Sequence, residues 1–422
     1  MNLIDAEQLA RNRDAQDVLA PLRAKFDIPP DVKYFDGNSL GPLTLRSREV
    51  LHHTIEVEWR ERLIRSWNED WLAMPLRVGN MIAPLIGAEP DTVISCDNTS
   101  INLHKALMSA VALRPGRTEI VIDINNFPTD IYIAQSVADQ HDMKLVAVSA
   151  DEIIGAISER TAVVTATHVD YRSAKILDAP AITATAHQNG ALMVWDLAHT
   201  AGAVPFDASA LDIDFAVGCG YKYLNGGPGA PAFVWVKPQH TDRFWQPLTG
   251  WWGHAAPFEF TPDYQPAKGI TRYQCGTQPV LSLVALDTGL DAFLEVEKLG
   301  GMPALRKKSL ALTGLFMHLV NTQLLEHGFG IATPNEDELR GSQVSLTRSD
   351  GAYAIVQALI ARGVIGDFRA GDGKQQPDIL RFGLTPLYVG YADVWHAVRN
   401  LKEVMATQEW QQSRFSKKQA VT

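Results

Sequence analysis

The strongest constraint on this chain is a change of texture between about residues 90 and 240. Short, nearly uninterrupted apolar runs alternate there with helical stretches. The runs lie at 119–122, 144–148, 162–165, 191–195, 215–217 and 232–236. A strand that is apolar on both faces is buried on both, and intervening helices allow parallel crossovers. The expected fold class is therefore α/β, with a large, mostly parallel sheet. Helices are expected at 101–113, 129–141 and 180–189, the last starting at Pro180 and stopping at Asn189-Gly190.

The flanks read differently. A long helix is expected over 43–66, after a turn-rich stretch at 36–42. Beyond 280, helices near 279–298, 303–326, 351–362 and 391–406 combine with strands at 343–346 and 379–383, the pattern of a smaller α+β domain. The polar tail from about Gln411 is expected to fray. With 422 residues and about 150 residues per domain, two or three domains are expected. The organisation read from these patterns is an N-terminal segment over 1–45 that joins the small domain, a large domain over 46–300, and a small domain over 301–422.

Composition narrows the function. The 38 basic and 48 acidic residues give a net charge of -10, without the basic stripe that nucleic-acid binding requires. The one basic run, Arg306-Lys307-Lys308, is expected to be a solvated helix face. Cys96, Cys219 and Cys275 are too scattered for a disulfide framework and lack metal-ligand spacing, so no metal site is expected. No apolar run reaches the roughly 18 residues of a membrane helix, and the start of the chain lacks a signal-peptide core. The expectation is a cytoplasmic protein with reduced thiols.

In an open parallel sheet, ligands bind outside the C-terminal ends of the strands. Asp196-Leu197-Ala198-His199 follows one run, and Gly220-Tyr221-Lys222-Tyr223-Leu224-Asn225 follows another. A lysine in a crowded apolar setting can lose its proton and form a Schiff base. Pyridoxal phosphate exploits such a lysine and takes an Asp as partner of its pyridine nitrogen, a role open to Asp196. Each residue alone has a plainer reading: Lys222 as a surface charge, Asp196 as a loop cap, Thr99 and Ser100 as a helix cap, Phe127 as core. Thr99 and Ser100 at a helix N-terminus also suit a phosphate.

Further ordered motifs are Phe35-Asp36-Gly37-Asn38-Ser39-Leu40-Gly41-Pro42, Thr99-Ser100-Ile101-Asn102-Leu103-His104, Phe127-Pro128-Thr129-Asp130, Gly250-Trp251-Trp252-Gly253-His254 and Arg381-Phe382-Gly383-Leu384-Thr385-Pro386-Leu387-Tyr388. With the two lysine and aspartate segments, the chain resembles fold-type-I pyridoxal-phosphate enzymes and, within them, the kynureninase family. The resemblance runs over residues 35–388. It implies a transferase-like fold with a seven-stranded-type sheet, a homodimer, and hydrolysis of L-kynurenine to anthranilate and L-alanine in tryptophan breakdown.

The resemblance also implies roles. Lys222 would hold the cofactor covalently and act as base. Asp196 would pair with the pyridine nitrogen, and Phe127 would stack on the ring. His199 and Asp130, with Pro128 and Thr129, would surround it. Thr99, Ser100 and Tyr221 would hold phosphate, with Trp251 and Thr277 completing that site from the second subunit and Thr167 as a further contact. Tyr221 is either a proton shuttle or a purely structural phosphate ligand. Arg381 would clamp the substrate carboxylate as a bidentate pair. Ser39, Trp67 (with Trp71 close by) and Thr277 would line the aryl pocket. Family members that favour 3-hydroxykynurenine carry polar His and Asn there, so a preference for kynurenine is expected. An aminotransferase, a cysteine desulfurase and a non-catalytic regulator of the same fold are the alternatives. The intact Lys222 and Asp196 speak against the regulator, and the cysteine positions speak against the desulfurase.

Overall fold

The computed structural model describes residues 3–374 and 376–419. Its contacts divide the chain into two compact units. One comprises 46–171 and 177–290, the other 1–45, 172–176 and 291–422. Residues 291–300 and the short run 172–176 thus belong with the terminal segments.

The first unit is built on a seven-stranded sheet. Its strands are β1 (Val93–Cys96), β2 (Glu119–Asp123), β3 (Lys144–Val148), β4 (Thr161–Thr167), β5 (Leu192–Asp196), β6 (Phe215–Gly218) and β7 (Ala232–Val236). Their order is β1-β7-β6-β5-β4-β2-β3. The pairs β2–β3, β2–β4, β4–β5 and β5–β6 are parallel, whereas β7 runs antiparallel to both β1 and β6. The interior strands are buried along their whole length, as their continuous apolar runs require. Val163, Val194 and Val217 are fully buried, each contributing about 1.5–3 kcal/mol of transfer free energy. The helices Thr99–Ala112 and Pro128–Gln140 supply Leu103, Leu107, Ala134 and Val137 to the same core.

The helix expected over 43–66 is not continuous. An α-helix over Leu45–His53 widens into a π-helical stretch over Thr54–Arg62 and breaks at Leu63, whose φ is +55°. Ile55, Leu63 and Ile64 are exposed, so no single apolar stripe enforces one straight helix there.

In the second unit, β8 (Gly330–Ile331), β9 (Gln343–Thr347), β10 (Asp367–Arg369) and β11 (Ile379–Gly383) form an antiparallel sheet in the order β10-β11-β9-β8. Lys33–Tyr34 pairs in parallel with Val364–Ile365. Two expectations for this unit fail. Lys308 does not lie on a solvated face: it is 6% exposed and bonded to Asp17 at 2.7 Å. The tail does not fray through residue 419 either. Phe415 is buried, and the Tyr353 hydroxyl donates to the Lys417 carbonyl and accepts from the Gln419 N–H. One apolar anchor and one phenol outweigh the polar composition of the segment.

Candidate active site

In the sheet unit, the C-terminal ends of β4, β5 and β6 stand side by side, with Thr167 opposite Asp196 and Asp196 opposite Val217. Asp196 is buried. Its Oδ1 accepts from the Ala198 N–H at 2.7 Å, and its Oδ2 lies 3.5 Å from the Thr167 hydroxyl. Pro128, Thr129 and Asp130 form the first turn of their helix, where Pro lacks only an N–H that would have no helical acceptor. Asp130 is buried there and accepts from the Asn126 amide at 3.1 Å.

Asp130 and Asp196 are neighbouring buried carboxyls. Burial, and then the charge of Asp196, raises the Asp130 carboxyl well above the usual carboxylate range. Burial also raises Asp196, but Lys222, the Ala198 N–H and Asp130 oppose it. Two adjacent buried carboxyls do not both ionise. The pair therefore tends to keep a proton, and the upward push is stronger on Asp130.

Lys222 Nζ lies 3.0 Å from His199 Nε2. Its loop is closed by the Asn225 N–H on the Lys222 carbonyl and the Gly226 N–H on the Gly220 carbonyl. The glycine before it is required by space, since a Cβ on Gly220 would stand 2.3 Å from the Pro231 carbonyl oxygen. Tyr221 lies beside this lysine, and the neighbouring Cys219, together with burial, holds its phenol well above the usual range. It is a proton donor, not a phenolate, at neutral pH.

Asn98, not Thr99 or Ser100, caps the next helix: its Oδ1 accepts from the Ile101 N–H at 3.0 Å. The two hydroxyl residues occupy the first helical turn, where backbone N–H groups point outward toward an anion. Phe127 is not core as its plain reading had it, being 47% exposed and set edge-on to Tyr171. Trp251 is 39% exposed, and Thr277 is exposed nearby in sequence to Cys275, whose carbonyl accepts from the Trp252 N–H. Trp67 stacks on Trp252 at 5.4 Å, with Trp71 edge-on to it.

The other unit holds the arginine cluster. Arg381 is buried, and the Nε–Nη2 edge of its guanidinium grips Asp367 at 2.8 and 2.5 Å. Arg369 bonds the same Asp367 oxygen at 2.8 Å and is 35% exposed. The Ser39 hydroxyl donates to Asp367 at 3.0 Å and accepts from Arg381 at 2.8 Å. The structure thus places Ser39 in the cation cluster of its own unit. Asp36, against the same cluster, is pushed up to about 7 by burial and by Asp367.

Sequence reading missed Asp367 and Arg369. Their signal is the sheet register, which sets Asp367 opposite Arg381 and cannot be read from a three-residue strand. Among the described residues, no group of three or more His, Cys, Asp or Glu is placed to hold a metal ion. Among the described residues, no helix is long and apolar enough to cross a membrane. Cys96 and Cys219 are free and buried, and Cys275 is free and half-buried.

Residues 305–401 match the model of the kynureninase C-terminal domain family. The chain is 47% identical to a kynureninase of Burkholderia mallei, over 99% of each chain. It is also 47% identical to a kynureninase of Pseudomonas fluorescens, over 97% of this chain and 98% of that one. In fold it is similar to the cysteine desulfurase CsdA of Escherichia coli, with a TM-score of 0.76 at 18% identity over 92% of this chain and 98% of the other. A cysteine desulfurase of Thermococcus onnurineus gives 0.77 at 17% identity over 92% and 98%. These distant structures share the architecture, while the full-length identity decides between them and the closer relatives: the chain belongs to the kynureninase family.

Proposed function

We propose that the chain is a pyridoxal-phosphate-dependent kynureninase that hydrolyses the Cβ–Cγ bond of L-kynurenine to anthranilate and L-alanine. The observation that carries this is the buried group at the strand ends, Asp196 with Asp130 beside it and Lys222 Nζ against His199 Nε2. That donor set fits the cofactor: a buried carboxylate for a protonated pyridine nitrogen, an amine for the aldehyde, and helix-start N–H groups for a phosphate. When bound, the cofactor supplies an electron sink that stabilises negative charge on the substrate carbon.

The chain's own residues do the rest. Thr99, Ser100 and Tyr221 hold the phosphate, Thr167 and His199 orient the ring, and Phe127 covers it. Lys222 would take and return the substrate α-proton, with His199 Nε2 in reach to hold its ammonium in place. Tyr221 keeps its proton and can pass it toward the reacting carbonyl. Arg381 meets the substrate carboxylate with its plane fixed by Asp367, and Arg369 adds a second cation at the same anion.

Trp251 and Thr277, exposed in the protomer, suit a homodimer in which they complete the partner's phosphate site. Trp67 and Thr277 would frame the aryl ring without an imidazole or amide for a 3-hydroxyl, which favours kynurenine. The free thiols suit a cytoplasmic enzyme. The test is incubation of the purified holoprotein with L-kynurenine, following anthranilate fluorescence and alanine release. Equal release supports the proposal, and transamination or cysteine desulfuration without anthranilate contradicts it.

A further inference from the structure

Lys105 stands in the middle of the apolar face of helix Thr99–Ala112, between Leu103, Ala106 and Leu107, and is 0% exposed. Lysines are almost never fully buried unless paired. Replacing a buried ion pair by apolar side chains of similar volume is often neutral or stabilising. A position that served packing alone would therefore not need this ammonium.

Its two bonds connect two separate pieces of chain. Nζ donates to Asp97 Oδ2 at 2.5 Å and to the Tyr273 carbonyl at 2.5 Å. Asp97 is the turn residue between β1 and the Asn98 cap, and its φ of +48° is a left-handed conformation that a non-glycine residue rarely adopts. That turn leads directly into Thr99 and Ser100. Tyr273 ends the turn Gly269–Tyr273, from which the chain runs through Cys275 and Gly276 to Thr277. The Tyr273 side chain returns to the same helix, its hydroxyl donating to Ser109 Oγ at 3.1 Å, and Ser109 Oγ donates to the Lys105 carbonyl at 2.8 Å. One buried cation thus ties together two of the segments that carry phosphate-contact candidates, the one before Thr99–Ser100 and the one before Thr277.

We propose that Lys105 is a positioning residue for the cofactor phosphate, holding the Asp97 turn before Thr99–Ser100 and the Tyr273 strand of chain before Thr277 in one geometry. The inference rests on the reading of Thr99, Ser100 and Thr277 as phosphate contacts. In a homodimer each phosphate site would then draw one segment from each protomer, and a Lys105 would fix both.

The test compares pyridoxal phosphate with pyridoxal, which lacks the phosphate, in equilibrium titrations of the full-length apoprotein. Wild type is expected to bind the phosphate ester far more tightly. Lys105→Met is expected to weaken pyridoxal phosphate by about tenfold or more, the size of a lost charge-assisted bond, while pyridoxal stays within about twofold. Asp97→Asn, which keeps the ammonium on Tyr273 and tests the turn if Lys105→Met fails to fold, is expected to lower the same ratio by a smaller factor. Melting of each apoprotein reports folding independently of the ligand. An unchanged ratio in both folded variants, or an equal loss for both ligands, would overturn the role of Lys105. A wild-type ratio near one would instead overturn the phosphate reading itself, and the inference with it.

Discussion

Asp130, in the first turn of its helix, and Asp196, at the end of β5, are neighbouring buried carboxyls, and burial raises both, Asp130 well above the usual carboxylate range. The folded-state value of Asp130 is raised, so the folded chain keeps a proton that the unfolded chain releases above its ordinary value of 3.8. Stability from this group therefore falls as pH rises from the unfolded value toward the raised one. Asp130→Asn keeps the size of the side chain and removes this dependence. The melting temperature of the Asn variant relative to wild type, measured on the apoprotein, is expected to rise as pH increases above about 4. A constant difference would place the proton elsewhere.

Lys222→Ala removes the only group of the cluster that can both bind an aldehyde and return the α-proton. Turnover of L-kynurenine is expected to drop by at least about a thousandfold, with loss of the visible absorbance of lysine-bound cofactor. Retained absorbance and turnover would assign the chemistry to another residue.

Arg381→Ala is expected to raise KM for kynurenine by roughly ten- to a hundredfold, with a smaller change in kcat, because it removes a charge-assisted contact made before and during reaction. Loss confined to kcat would show that Arg381 acts on the reacting atoms instead.

Asp36 adds a pH dependence to that contact. Burial and Asp367 push its carboxyl up to about 7, against the pull of Arg381, Ser39 and Arg369, and Tyr34 faces it from the same segment. As pH rises through that value, a new negative charge forms beside the two arginines and opposes the substrate carboxylate. KM is expected to rise roughly threefold to tenfold between about pH 6 and about pH 8.5. In Asp36→Asn the profile should be flat, and a wild-type rise that survives the substitution would exclude Asp36 as its source.

Trp67→His combined with Thr277→Asn introduces polar partners for a 3-hydroxyl. The ratio of kcat/KM for 3-hydroxykynurenine over kynurenine is expected to rise by about tenfold or more. If the ratio stays fixed, these two positions do not frame the aryl ring.

Much of the sheet unit was legible because buried parallel strands leave long apolar runs. Asp196 and Lys222 stand just past two such runs, where their chemistry was sought. β1 escaped because Val93-Ile94-Ser95-Cys96 is short and mixed, and its partner β7 is remote and antiparallel. The arginine cluster escaped for a related reason. Asp367 meets Arg381, and Ser39 joins them, only through a fold that brings positions far apart in sequence together. Lys105 did leave a trace, a lone charge at an apolar helical position, which deserves the same attention as a loop lysine.

The central claim is hydrolysis of the substrate's Cβ–Cγ bond, and the most direct measurement is turnover of L-kynurenine in ¹⁸O-labelled water. Mass spectrometry is expected to find one labelled oxygen in the anthranilate carboxylate, with alanine released in equal amount and unlabelled by the reaction. Anthranilate without the label, or consumption of kynurenine without anthranilate, would contradict the account.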